Sequence, residues 1–409
     1  MSSKAFDIVI SGASFAGLAL ARSLRLALGK DLTIALVDRA AGPPWGDDTR
    51  AFAIWAGAKN VLDALGVWRT LESTAQPMTT IEITDTALED GLRSALLTYD
   101  ATTADGAVAG YIVPSFDLHR ALFAALDGDA NVTWIAPAEA EGLAADAAGI
   151  TTQLADGQTL RSSLIVAAEG RRSRLRDAAG IKTTGWGYGQ RGIVAIVQFS
   201  EDHHGTAIQH FLPGGPFAIL PMTGNRACIT WSSAEDEAAQ VLTLDEAGFL
   251  AELDKRVGGR FGDITLVAKP QSWPLDVRIA RSLVAPRFAL IGDAAHGVHP
   301  IAGQGVNLAF RDVAALTECL TDAARLGFDL GHAEALARYE RWRRFDTTMS
   351  AAAYDGLNRL FSIDNVLLRA ARGAGLGALD RVGMLKSMIV EEAAGLTGDT
   401  PKMVRGELV

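Results

Sequence analysis

A chain of 409 residues that is 49% hydrophobic and 21% charged can bury two cores, or one core with an insert, and is not a disordered polymer. Its formal net charge of −10 argues against a nucleic-acid partner, which would need a basic face. Only Cys228 and Cys319 are present, both in apolar runs. They exclude a disulfide framework or a cysteine metal site and read as small buried hydrophobes in a reducing compartment. An acid at Asp7 and the lack of a small-residue cleavage site argue against a secretory leader, and no apolar run approaches a membrane span. A cytoplasmic location is expected.

In chain order, residues 6–11 are an almost continuous apolar run, the pattern of a strand buried on both faces. The run enters Gly12-Ala13-Ser14-Phe15-Ala16-Gly17 and then a helical pattern of Leu18, Ala21, Leu24 and Leu28. A second apolar strand, 32–37, ends on Asp38-Arg39. Strand, glycine turn, helix, strand and acid in this order form a dinucleotide-binding unit, with pyrophosphate at the helix start and the acid on a ribose hydroxyl. Ser14 stands where a middle glycine is usual; it is small, and its hydroxyl suits a phosphate oxygen.

A Pro/Gly-rich loop (42–46) leads into Asp48-Thr49-Arg50-Ala51-Phe52-Ala53. Alternating segments at 80–84 and 95–99 predict half-exposed antiparallel strands, an inserted sheet among parallel units. Residues 113–117 open a helix with Leu118, Leu122 and Leu126 that carries Arg120. A further buried strand, 164–168, runs into Glu169-Gly170 and the arginines 171, 172, 174 and 176, which read either as phosphate contacts or as a solvated helix face. Residues 190–280 read as mixed sheet, with strands at 192–199, 207–212, 216–220 and 227–232 and a turn at 213–216.

The next stretch, 287–312, is the most specific. It reads as a buried strand (288–291), a turn with Gly292-Asp293, a loop pinned by Pro300, and a second glycine turn (Gly303, Gly305) opening a helix through Leu308, Val313 and Leu316. An acid at the carboxyl end of a strand is placed to bind a ligand hydroxyl. Glycines let the backbone approach a flat ring, and the helix start offers N–H groups and partial positive charge to a ring that becomes an anion. Helical patterning continues to about Leu396; Gly373 to Gly377 follow a helix, not a strand, and are not read as a phosphate turn. Between 357 and 390, Arg359, Arg369, Arg372, Arg381 and Lys386 face only Asp364 and Asp380. That segment reads either as buried helices with solvated cations or as a surface able to rest on an anionic bilayer.

Gly292-Asp293 with His299-Pro300-Ile301-Ala302-Gly303-Gln304-Gly305-Val306-Asn307 resembles the second flavin-binding motif of the FAD-dependent aromatic-ring monooxygenases. More narrowly it resembles the flavin hydroxylases of ubiquinone biosynthesis, with Val306 and Ala309 departing from the usual residues. The likeness extends through Tyr354-Asp355-Gly356-Leu357-Asn358-Arg359-Leu360-Phe361. It implies an α/β fold: a Rossmann-like FAD-binding domain of the p-hydroxybenzoate hydroxylase type with an inserted mixed β-sheet substrate domain and C-terminal helices. The FAD-binding domain would take residues 1–75, 105–180 and 281–345, the substrate domain 76–104 and 181–280, and the helices 346–409.

The resemblance also implies roles. Gly12, Ser14, Phe15, Ala16 and Gly17 would hold the dinucleotide, with Asp38 and Arg39 at the ribose end, Arg50 beside the flavin and Arg120 reaching the pyrophosphate. Glu169-Gly170 replaces the family's Asp-Gly near FAD and the nicotinamide donor. Gly292, Asp293, Val306 and Asn307 would hold the flavin, and Pro300, Gly303, Gln304 and Gly305 would form the loop under the reaction site. Residues 214–221 resemble the strand that lines the substrate cavity; Trp231 beyond it reads as core packing.

One dinucleotide fingerprint argues against a separate nicotinamide domain; the resemblance then implies that NAD(P)H visits transiently, reduces FAD and leaves, after which dioxygen is activated on the reduced flavin and one atom is delivered to a phenol ring. No protein nucleophile and no metal are expected. The group that assists loss of the phenol proton is open among His210, Tyr188 and His299. The expected substrate is a lipophilic phenol or quinol precursor of ubiquinone, with a membrane surface and other ubiquinone-biosynthesis proteins as partners. The competing readings are a flavin hydroxylase of a soluble small aromatic and a non-hydroxylating FAD-binding assembly protein.

Overall fold

The computed structural model describes residues 4–42, 48–86, 88, 95–212, 214–363 and 365–409. Most of the loop at 42–46, together with Pro213 and Asp364, lies outside them.

The cofactor half is built on a sheet whose main path runs Val284–Ala285, Phe288–Leu290, Thr159–Ala167, Lys4–Ser11, Ile34–Val37, Val132–Ile135. Beyond the antiparallel edge pair at Val284–Ala285 these strands are parallel, which explains the unbroken apolar runs: both faces are covered. Ile8, Val9, Ile10, Leu164, Ile165 and Val166 are fully buried. Helices Phe15–Leu28 and Gln304–Arg325 pack together, and Ser23 Oγ donates to Thr317 Oγ1 at 2.8 Å across their buried contact.

The second half is a mostly antiparallel sheet, in order His296–Gly297, Gln271–Ala280, Thr183–Phe199, Arg226–Ala234, Gly215–Met222, Thr206–Leu212, Thr80–Asp85, Leu97–Asp100. Its side chains alternate with period two. Ile193, Ala195 and Val197 enter an outer core with Phe217 and Trp231, while Val194, Ile196 and Cys228 face Ala51, Ala53 and Trp55 of the cofactor half. Both cysteines are free and buried.

The region read as mixed sheet also contains two helices, Glu235–Thr243 and Glu246–Val257, which cap the outer core. Their signals were present. Three acids open the first helix, Asp245 accepts from Gly248 N at 2.8 Å at the start of the second, and left-handed Gly258 ends it. Trp231 belongs to this outer core, with the Arg256 guanidinium 3.9 Å from its ring centre.

Helices Ala333–Ser362, Val366–Asp380 and Gly383–Ala394 clasp the second sheet. Phe361 stacks on Phe211 with ring centres 3.9 Å apart. Arg372 reaches both oxygens of Asp85 at 2.6 and 3.1 Å and donates to Leu360 O at 2.6 Å. Among the described residues no helix is long and apolar enough to cross a membrane.

Candidate active site

Three turns leave the first sheet side by side. The register pairs Ser11 with Ala167 and Ala167 with Leu290, so Gly12, Glu169 and Gly292 emerge from adjacent strand ends. Such ends are where open parallel sheets bind ligands. A Cβ on Gly12 would lie 2.4 Å from Ala168 O, and one on Gly17 only 1.8 Å from Gly12 O, so both glycines are required by the turn itself. A Cβ on Gly292 would sit 3.4 Å from both Ala16 and Ala309, which places the two glycine motifs in contact.

Ser14 is exposed and its hydroxyl does not cap the helix it precedes. Asp38 accepts from Ala13 N at 2.7 Å and Ala40 N at 2.8 Å, fixing the turn; a carboxylate has about four acceptor positions, so a ribose hydroxyl can still be met. Arg39 is exposed. Sequence reading passed over His119, whose Nε2 meets Ala13 O at 3.1 Å and whose ring packs edge-on to Phe15. Arg120, expected at the pyrophosphate, is exposed and paired with Asp117 at 3.1 Å.

Glu169 stitches the protein to itself. Its carboxylate accepts from Ser11 Oγ at 2.6 Å, Ser173 Oγ at 2.7 Å and Leu175 N at 3.1 Å, while Gly170 beside it faces open space. The arginines divide. Arg172 and Arg174 are exposed, but Arg176 is buried and donates to Ala294 O at 3.1 Å. Arg171 is the hub: Nε meets Asp293 Oδ2 at 3.2 Å, Nη2 donates to Val298 O at 2.7 Å, and Nη1 pairs with Asp276. It ties the Gly292-Asp293 turn to the following loop and to the second sheet.

Beneath that turn lies a buried charge network that no local pattern announces. Asp312 accepts from Gly292 N at 2.8 Å, His296 Nε2 at 2.5 Å and Arg343 Nε at 2.7 Å. Burial alone would raise the Asp312 pKa; the His296 and Arg343 partners outweigh it and hold the carboxyl below its ordinary value.

At the loop, Pro300 precedes a 3-10 turn and Gly303 adopts φ +63 ahead of the helix. A Cβ on Gly303 would lie 3.0 Å from Ala53 Cβ. Asn307 clamps the same strand, accepting from Trp55 N at 2.9 Å and donating to Ala53 O at 2.8 Å. Gln304 Nε2 donates to Ala393 O at 3.2 Å, tethering the last long helix. Gly305 has nothing within 4 Å of a Cβ, so no protein atom requires a glycine there. Val306 follows, with the helix's first N–H groups unused by the helix itself.

Arg50 forms a two-pronged pair with Asp48 at 2.7 Å and lies 5.5 Å from the ring centres of both Phe52 and Trp273. Burial would lower its pKa, but Asp48 and the nearby Asp293 raise it. His299 is 1% exposed, neither ring nitrogen has a hydrogen-bond partner among the described residues, and its ring meets Tyr188 edge-on at 5.1 Å. Burial, reinforced by Arg171 and only partly offset by Asp355, pushes its pKa down to about 4.

FAD fits this arrangement. The tight first turn leads straight into the N–H groups of a helix start, Ser14 has a hydroxyl that does not cap that helix, and Gly305 leaves room beside a second helix start. No cluster of metal ligands occurs among the described residues.

A family profile described as FAD binding domain matches residues 5–345. The ubiquinone hydroxylase UbiL of Rhodospirillum rubrum is 39% identical over 98% of this chain and 93% of its own. The 3-demethoxyubiquinol 3-hydroxylase of Escherichia coli is 31% identical over 97% of this chain and 100% of its own. The crystal structure of p-nitrophenol 4-monooxygenase PnpA from Pseudomonas putida superposes with a TM-score of 0.79 at 19% identity, covering 97% and 99% of the two chains, and shares the fold. This chain belongs to the FAD-binding family of flavin-dependent hydroxylases that includes those two ubiquinone enzymes.

Proposed function

We propose that the chain is an NAD(P)H-driven, FAD-dependent monooxygenase that hydroxylates the aromatic ring of a polyprenyl phenol or quinol intermediate of ubiquinone biosynthesis. The observation that carries this reading is the contact of the two glycine motifs at Gly292, Ala16 and Ala309, with Gly305 open beside them. Bound FAD would supply the electrons and activate dioxygen. The chain's own residues bind and orient. Gly12 to Gly17 and Asp38 take the dinucleotide ends, Arg50 and Asp293 stand at the ring, and the helix start at Gln304 to Asn307 favours negative charge there. Pro300 and Gly303 shape the loop, and the packed core of Val194, Ile196 and Cys228 against Ala51, Ala53 and Trp55 backs the strand that Asn307 clamps.

The test is stoichiometric. Purified protein should hold FAD and consume NAD(P)H and oxygen faster when a prenylated phenol is added, yielding hydroxylated product. FAD binding with no coupled product would favour the assembly-protein reading, and coupling only to soluble phenols the small-aromatic one. Cells lacking the protein should accumulate the unhydroxylated precursor.

The same proposal includes a membrane surface. Met384 and Met388 are 76% and 61% exposed on helix Gly383–Ala394, and Leu385 and Ile389 are exposed beside Arg381 and Lys386. Apolar side chains mixed with cations suit an anionic bilayer interface. Met384→Glu with Met388→Glu should abolish co-sedimentation with anionic vesicles while FAD content is unchanged; equal sedimentation would refute it. On the same reading the chain divides into an FAD-binding domain (1–75, 105–180 and 281–345), a substrate domain (76–104 and 181–280) and C-terminal helices (346–409), limits that limited proteolysis tests.

A further inference from the structure

Three groups stood open as the one that assists loss of the phenol proton, and the fold separates them. His210 shares a strand face with Ile208 and Leu212 along Thr206–Leu212, both of which enter the outer core, and it stacks on Phe217 there with Nδ1 against Thr84. It points away from the cofactor half. Tyr188 sits where the register of its strand slips between Gly187 and Gln190, and its hydroxyl already donates to Asp355 Oδ1 at 2.9 Å. Irregular pairing of this kind re-aims a side chain. Here it lays the phenol ring against His299.

His299 meets the Tyr188 ring edge-on but makes no hydrogen bond among the described residues. It stands next to Pro300 at the entry of the flavin loop, buried, with neither Nδ1 nor Nε2 matched by any described residue. A buried imidazole in that state costs on the order of 1–3 kcal/mol per unmatched group, and a polar ligand group removes the cost. The charged groups around it are Arg171, with Asp276 and Asp293, on one side and Asp355 with Arg359 on the other.

Resting on the hydroxylase reading, we propose that neutral His299 receives the ring hydroxyl of the phenolic substrate, accepting its hydrogen bond on one nitrogen, with Tyr188 and Asp355 as positioning residues. No bond breaks in this step. The proton stays on the oxygen, shared with the imidazole, and electron density moves into the ring carbon to be oxidised.

Two measurements test this. Nitrogen NMR of the wild-type protein, with histidine labelled, should show the His299 ring in its neutral form, with one nitrogen shifting when a phenolic substrate analogue is added. An analogue with a methyl ether in place of the hydroxyl should leave it in place. His299→Phe should keep bound FAD but lower product formed per NAD(P)H about tenfold, and His299→Gln, which can still accept, should recover much of it. Tyr188→Phe should raise KM several-fold with a smaller change in kcat. An unmoved His299 resonance with saturating analogue overturns the proposal, as does full coupling in His299→Phe. If His299→Phe loses FAD, the NMR result and the Gln variant decide. If the wild type fails to couple at all, the hydroxylase reading falls instead, and the analogue titration still reads His299 on its own.

Discussion

Gly305 and Gly17 lack side chains for opposite reasons. A Cβ on Gly17 meets backbone at 1.8 Å, whereas at Gly305 it meets nothing within 4 Å. A β-branched residue near a helix start costs less than about 1 kcal/mol. Gly305→Val should therefore fold with a nearly unchanged melting temperature yet bind FAD far more weakly, read as a colourless preparation. At the same scale, burial lowers the pKa of His119 and of His299, the latter to about 4 from an ordinary 6.5. The unfolded chain then binds more protons between those values, so stability is full above about pH 6.5 and is lost as pH falls toward 4. His299 alone accounts for roughly 3 kcal/mol of that loss, and His299→Gln should flatten the curve of urea midpoint against pH. Local backbone geometry was legible: the turn glycines, Asp38 past the second strand and Pro300 in the loop. Arg171, His119 and Asp312 were not, because their partners lie 100 or more residues away or on another element, as with Arg171 and Val298 (127 apart) or His119 and Ala13 (106 apart).

Among elements, helix Gln304–Arg325 carries most of the site on one end and a charge network on its flank. Asp312 joins Gly292 N to His296 and Arg343, and Arg343 in turn pairs with Asp346. Asp312→Ala leaves the buried Arg343 guanidinium facing an empty position and should destabilise the protein by about 3–5 kcal/mol in urea unfolding. It should also weaken FAD binding, since the Gly292 turn loses its anchor. The helix itself could be read from its periodicity, and so could the buried parallel strands, because apolar runs record burial on both faces. Helices Glu235–Thr243 and Glu246–Val257 were missed because short amphipathic pieces between strands differ from strand-and-turn text only at their caps.

Across the whole molecule, the fold class was legible from the order strand, glycine turn, helix, strand, acid and from the late strand-acid-loop-helix. How the C-terminal helices engage the second sheet was not. That attachment rests on Arg372 with Asp85, both buried, joined by Phe361 on Phe211, while Gln304 ties Ala393 to the cofactor half. Arg372→Met should strand the Asp85 carboxylate and cost about 3–5 kcal/mol. Limited proteolysis should then cut within the last helices before the sheets, whereas the wild type should resist there.

Residues Lys402–Arg405 return to the first helices, where Met403 and Val404 are buried, Asn60 donates to Val404 O and Ser23 lies against Met403. Birth order and assembly order therefore disagree. Strand Lys4–Ser11 finds Ile34–Val37 soon after it but its other neighbour only about 150 positions on, and the adjoining helix is not sealed until position 404 has been made. One edge of that buried strand therefore stands open while much of the polypeptide is made, so maturation of this protein is a wait, and holding chaperones should govern its yield more than any gain in final stability.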